Sequence, residues 1–224
     1  MLFDRVIANP PFSLKDWGAD AAQADGFARF RYGIPPTTKG DYAFVQHMVA
    51  TLNNQGIAGV IMPHGVLFRG ASEGKIRKAF IEDDLFDAII GLPANLFYGT
   101  GIPASILLLN RKKSSKHKNM VLFINSAAYY EACKNQNKLR DEDVARIVNA
   151  VEGYKDIERF ARVVTIDEIK ENDYNLNVSR YVDITEPVQI IDVKESLARL
   201  RELEKQRDEA AKKMNKCLKE LGYE

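Results

Sequence analysis

The strongest constraint on this chain is a series of short, nearly continuous apolar runs: FDRVIA at 3–8, IAGVIMP at 57–63, FDAIIGLP at 86–93, ASILLLN at 104–110 and MVLFINS at 120–126. Such a run leaves no polar face for water, so it reads as a strand buried on both sides. Helical patterns lie between the runs. In DYAFVQHMVATLNNQG (41–56), Phe44, Met48 and Leu52 share one face and Val45 and Val49 widen it. Asp41 reads there as the N-cap and Gly56 as the C-terminal stop. EGKIRKAFIEDDL (73–85) reads as a second helix, entered from Ser72. Strands alternating with helices imply an α/β sheet covered on both faces, carried by residues 1–127.

The texture changes after that. Val144, Ile147, Val148 and Val151 repeat at helical spacing, and TIDE at 165–168 has the form of a capping box, so 128–185 reads as a mostly helical connecting region. From 186 to 224, Ile190, Val193, Leu197, Leu200, Ala211, Met214, Leu218 and Leu221 keep three-four spacing, broken only by Glu204 and Arg207. Glu195–Arg199, Asp208–Lys212 and Glu209–Lys213 add i,i+4 pairs in the favourable order. This is the pattern of a long amphipathic helix of coiled-coil type. Its seam suits a partner subunit, or serves as an internal brace.

Composition removes several classes. With 224 residues the chain can bury one sizeable core plus an appendage. A formal charge of +1 gives no overall basic field, so nucleic-acid contact needs a local surface. Cys133 and Cys217 form no CxxC, which fits a reducing cytoplasm. His47, His64 and His117 make no ligand pattern, and no metal is expected. No apolar run approaches the roughly 20 residues a membrane span needs, and the first residues carry no signal-peptide pattern.

The chemistry concentrates in Asn9-Pro10-Pro11-Phe12, directly after the first strand. An exocyclic nucleobase amine is a poor nucleophile because its lone pair is spread into the ring. Two fixed acceptors holding its N–H groups localise that lone pair and stabilise the charge developing on nitrogen. The Asn side-chain carbonyl is one such acceptor, and the backbone carbonyl of the following proline, aimed by a fixed φ, is the other. A neighbouring Phe offers a face on which an extruded base can stack. The loop at the carboxyl end of a parallel strand is also where open α/β sheets bind ligands. The same four residues are equally compatible with an ordinary proline turn.

VIANPPF resembles motif IV of the adenine-N6 amino-methyltransferases. The stretch from GDYAFVQHM to SILLLNRKK, with VLFINSA and YNLNVSRYV, resembles the modification (M) subunit of type I restriction-modification systems across nearly the whole chain. The resemblance implies a Rossmann-like sheet that binds S-adenosyl-L-methionine. Asn9 and Pro10 would accept the N–H bonds of a flipped adenine, Phe12 would stack on it, and Pro11 would complete the turn beside the methyl donor. Phe44 falls at the family's next motif, near the cofactor, although an aromatic on an amphipathic helix also suits a core. Implied partners are DNA, a specificity subunit docked through residues 186–224, and a restriction subunit.

The pattern departs from the family in one respect. The glycine-rich turn and acidic residues that bind the cofactor precede this motif in the family, and GTGIP at 99–103 leads into a strand, so it reads as a turn. The chain is therefore expected to be the C-terminal half of such a subunit, inactive alone. Its first strand would be an unpaired edge open to self-association. Two other readings stay open: an assembly module without catalysis, and the same reaction on RNA or a protein amide. RKKSSKHK at 111–118 is either a solvated turn or a phosphate contact. His64 and Arg69 belong either to a structural loop or to a DNA-facing one.

Overall fold

All five apolar runs become strands of one mixed sheet, joined by a sixth. The structure, a computed structural model, describes residues 1–185 and 193–223. The strands are β1 (Phe3–Ala8), β2 (Leu52–Pro63), β3 (Phe86–Gly91), β4 (Ala104–Asn110), β5 (Met120–Asn125) and β6 (Ala161–Thr165). Their order is β1-β2-β4-β3-β5-β6. β1 pairs parallel with β2 and β3 with β5, while β4 and β6 run antiparallel to their neighbours. β1, β2, β3 and β5 therefore point the same way, and the loops leaving them gather at one end of the sheet.

Alternate residues of each inner strand supply two cores, one per face. On one face Val60, Ile89, Leu107 and Phe123 meet α2 (Asp41–Thr51) and α3 (Ala71–Glu82) through Tyr42, Val45, Ile76 and Phe80. On the other, Ala88, Ile90, Leu122 and Ile124 meet α4 (Asp141–Gly153) through Ile147 and Ala150. A short helix α1 (Ala19–Ala22) lies in the 13–40 stretch, and α5 (Ile166–Glu171) follows β6. A second compact unit, Thr185–Glu224, contains α6 (Val193–Glu220), which buries none of its residues and exposes Val193, Leu197, Leu200, Leu203 and Met214. Ile190 lies outside the described residues. No helix among those described is long and apolar enough to cross a membrane, and none of their His, Cys, Asp and Glu residues form a group of three or more able to hold a metal.

Several boundaries differ from the sequence pattern. α2 stops at Thr51, not Gly56: Leu52 is already extended, and the pairing jumps from Phe3↔Leu52 to Arg5↔Ile57, so residues 53–56 form a bulge within β2. Gly56 is small because a Cβ there would come within 2.9 Å of the Phe3 carbonyl oxygen and Leu52. The N-cap of α2 is Gly40, and Asp41 is its first helical residue with its carboxylate turned elsewhere. α3 likewise starts one residue before Ser72, capped by Gly70. Region 128–185 contributes β6 as well as helix, because Val163 and Val164 pair across to Leu122 and Val121 of β5. In TIDE, Thr165 caps α5 by accepting the Glu168 N–H (3.2 Å), but the Glu168 carboxylate pairs with Arg162 instead of closing the box.

Candidate active site

Asn9-Pro10-Pro11-Phe12 leaves the carboxyl end of β1, on the side where β2 delivers His64 and β3 delivers Leu92. Pro10 is buried and Asn9 and Pro11 are exposed, so the loop is anchored at one residue and open on either side of it. Phe12 is half-buried, and its ring meets Phe97 edge-on, with centroids 5.9 Å apart and planes at 71°. Edge-to-face contact at this separation is a favoured aromatic arrangement. Phe97 sits in the loop between β3 and β4 and also lines a cleft of about 490 Å³ with Leu96, Tyr98 and Leu139. Both rings are partly buried against the core of the second sheet face, and of the two only Phe97 lines the cleft. Sequence reading missed Phe97; the glycines around it (GLPANLFYGTGIP) signal only a loop.

The loop is fixed on its other side by a buried carboxylate. Directly after Phe12, Ser13 takes a left-handed conformation (φ 50°), which costs a non-glycine residue about 1–2 kcal/mol and persists only where the surroundings impose it. Here the Ser13 N–H donates to Asp41 Oδ1 (2.7 Å) and its hydroxyl to Oδ2 (3.3 Å). Asp41 is fully buried, and the Arg69 guanidinium pairs with it. Arg69 also donates to both oxygens of Glu73, at 2.7 and 2.8 Å. Burial works against the charge on Arg69, but the hydrogen bonds to Glu73 and the charges of Glu73 and Asp41 outweigh it and raise its pKa. The segment entering α2 is tied to the residues just after the motif: Gly40 N–H donates to the Leu14 carbonyl (2.9 Å), and Trp17 Nε1 to the Pro36 carbonyl (2.9 Å). The polar stretch 13–40 is therefore a tied structure behind the motif.

The other candidates resolve individually. Phe44 is half-buried on α2 and is not among the residues that form or pack against the two cores. His64 is half-buried, and its Nε2 donates to Asn177 Oδ1 (3.1 Å); burial lowers its pKa, partly offset by that hydrogen bond. Arg69 belongs to the internal ion-pair group. In the basic turn, Arg111 donates to the Val49 and Leu52 carbonyls and Lys113 to Asp84 and the Met120 carbonyl. Because β4 runs antiparallel, that turn lies at the opposite end of the sheet from Asn9.

The family model for N-6 DNA methylase matches residues 1–217. The MjaVII methylase subunit of a type I restriction enzyme from Methanocaldococcus jannaschii is 39% identical over 215 residues, covering 92% of this chain and 37% of that protein. The HindI methylase subunit from Haemophilus influenzae is 36% identical, covering 82% of this chain and 42% of that protein. A type I restriction-modification methyltransferase subunit from Streptococcus thermophilus superposes with a TM-score of 0.77 at 41% identity, over 82% of this chain and 39% of that one. The chain spans about two fifths of the length of these two curated relatives. The chain belongs to the N-6 DNA methylase family.

Proposed function

We propose that this chain carries the target-base loop of an adenine-N6 DNA methyltransferase, the methylase subunit of a type I restriction-modification system. The observation that carries this reading is Asn-Pro-Pro-Phe at the carboxyl end of β1, held by Phe97 on one side and Asp41 on the other. The Asn9 side-chain oxygen and the Pro10 carbonyl accept the two N–H groups of the adenine amine. They turn its lone pair outward and stabilise the positive charge that grows on N6. Phe12 takes the face of the flipped base, with Phe97 behind it. S-adenosyl-L-methionine supplies the methyl group when bound. Pro11 and Phe44 form one side of its site, and its main binding motifs lie outside this chain.

Sequence choice belongs to a separate specificity subunit, gripped by the exposed apolar seam of α6, and the assembly, with any restriction subunit, acts on DNA in the cytoplasm. Among the described residues no strand pairs with the outer edge of β1, which makes the isolated chain prone to self-association. The decisive experiment uses the methylase assembled with its specificity subunit. Asn9→Ala is expected to cut methyl transfer to DNA by about 10²–10³-fold, the loss typical of removing one transition-state hydrogen-bond partner. Transfer surviving at a tenth of the wild-type rate would remove Asn9 from the mechanism. Calorimetric titration of S-adenosyl-L-methionine into the isolated chain is expected to show no binding, and micromolar affinity there would overturn the view that the main cofactor motifs lie elsewhere.

A further inference from the structure

We propose that Asp41 is a positioning residue for methyl transfer: the buried Asp41–Arg69–Glu73 group latches the backbone of the Asn-Pro-Pro-Phe loop in its working geometry. The inference rests on the reading of Asn9 and Pro10 given above. The acceptors on the amine must be held within a few tenths of an ångström, and one of them, the Pro10 carbonyl, is backbone, so it moves with the loop. The loop cannot hold itself there. The residue that follows it, Ser13, occupies a left-handed conformation that an L side chain disfavours. What holds it is the 2.7 Å bond from the Ser13 N–H to Asp41.

The carboxylate is built for that task and for no evident other. Asp41 is the first residue of α2, where an acid commonly caps the helix, yet it makes no cap bond, and Gly40 occupies the cap position without one. Both its oxygens are spent on Ser13 and Arg69. Glu73, on α3, completes the charge balance: Arg69 lies between two carboxylates that are 0% and 3% exposed. Loop, α2 and α3 are thereby joined by one group, and a shift of any of them moves the Pro10 carbonyl. Gly65 closes the back of the group, since a Cβ there would lie 2.7 Å from an Arg69 guanidinium nitrogen.

The test uses the assembled methylase with its specificity subunit, unmodified DNA and S-adenosyl-L-methionine, and two variants. Asp41→Asn leaves Arg69 neutralised by Glu73, so the fold has no unpaired buried cation. It is expected to lower kcat about 10- to 100-fold, as sub-ångström misplacement of reacting groups does. Cofactor Kd is expected to stay within about twofold and the thermal midpoint to move by no more than about 4 °C. Gly65→Ala keeps every charged group and displaces only the guanidinium; a smaller kcat loss with the same split supports the latch, and stands in should Asp41→Asn fold poorly. Asn9→Ala is run alongside. If it abolishes transfer while both latch variants keep wild-type kcat, the latch is wrong and the active-site reading stands. If kcat, cofactor affinity and thermal midpoint fall together, Asp41 is merely structural and the proposal fails. If Asn9→Ala transfers normally, the active-site reading falls and takes the latch with it.

Discussion

β1 and β3 are written in almost the same letters. One is Phe-Asp-Arg-Val-Ile-Ala and the other Phe-Asp-Ala-Ile-Ile-Gly. β3 lies between β4 and β5 and buries five of its six residues, while β1 pairs only with β2 and buries none. Phe86 is 1% exposed and Phe3 44%; Ile90 is 4% exposed and Ile7 92%. An apolar run records that a strand is suited to two neighbours and two covered faces. Whether these are supplied is a property of the surroundings. α4 covers β3 and β5 on the second face, and among the described residues nothing buries Ile7 on β1. The loop carrying Asn9 thus hangs from the least supported strand of the sheet, which is why its fixing by Phe97 and Asp41 matters.

The contrast is broken most directly by truncating the paired aromatics. Phe86→Ala opens a cavity among Phe80, Leu109 and their neighbours and is expected to cost about 3–5 kcal/mol of folding stability. Phe3→Ala removes a partly solvated ring and is expected to stay within about 1 kcal/mol. Urea unfolding midpoints of the isolated chain measure both. Equal losses would mean that β1 is covered in solution.

A second substitution asks how β1 is attached. At Gly56 a side chain would drive into the Phe3 carbonyl and Leu52, both at 2.9 Å, at the point where the β1–β2 register shifts. Gly56→Ala is expected to cost about 1–3 kcal/mol as an overpacked site. Amide hydrogen exchange localises the damage: β1 amides should lose protection while those of β3 keep theirs. Uniform loss across the sheet would show that β1 is not the separable strand its exposure implies.

The same contrast explains what was legible in the sequence. The inner strands could be read because each has a strictly apolar run, and burial on both faces permits little else. β6 could not, because its run is only Val163-Val164, and its pairing with β5 supplies the order that its own composition lacks. The sequence pattern runs α2 past Thr51 for a related reason: residues 53–55 are polar and carry no strand signal, and Leu52 is extended where it pairs with Phe3 of β1. At the site, Asn9, Pro10 and Phe12 were visible because their chemistry is local to four adjacent residues. Phe97 and Arg69 are not legible as parts of the loop's support, since Phe97 meets Phe12 across a long sequence separation and Arg69 reaches the loop only through Asp41. Asp41 reads from the sequence as the N-cap of α2, a position that Gly40 holds in the structure. Its neighbour three residues on, Phe44, offers no capping-box partner, and that mismatch was the one available hint that its carboxylate served something else.

The smallest expected change in stability belongs to Ile7→Lys, and it separates two meanings of exposure. Ile7 makes no core contact, so folding stability should move by no more than about 0.5 kcal/mol. Association should respond much more. An apolar strand with one unpaired edge is a template for a second copy, and a lysine on such a strand is the device by which natural sheets deter it. Sedimentation velocity on the isolated chain is expected to show concentration-dependent larger species for the wild type and a monomer for Ile7→Lys. If the wild type is monomeric throughout, the bare edge does not self-associate and that part of the reading is lost. If Ile7→Lys associates as strongly as the wild type, the contact lies elsewhere, and the seam of α6, with Leu197, Leu200, Leu203 and Met214 all exposed, becomes the surface to change next.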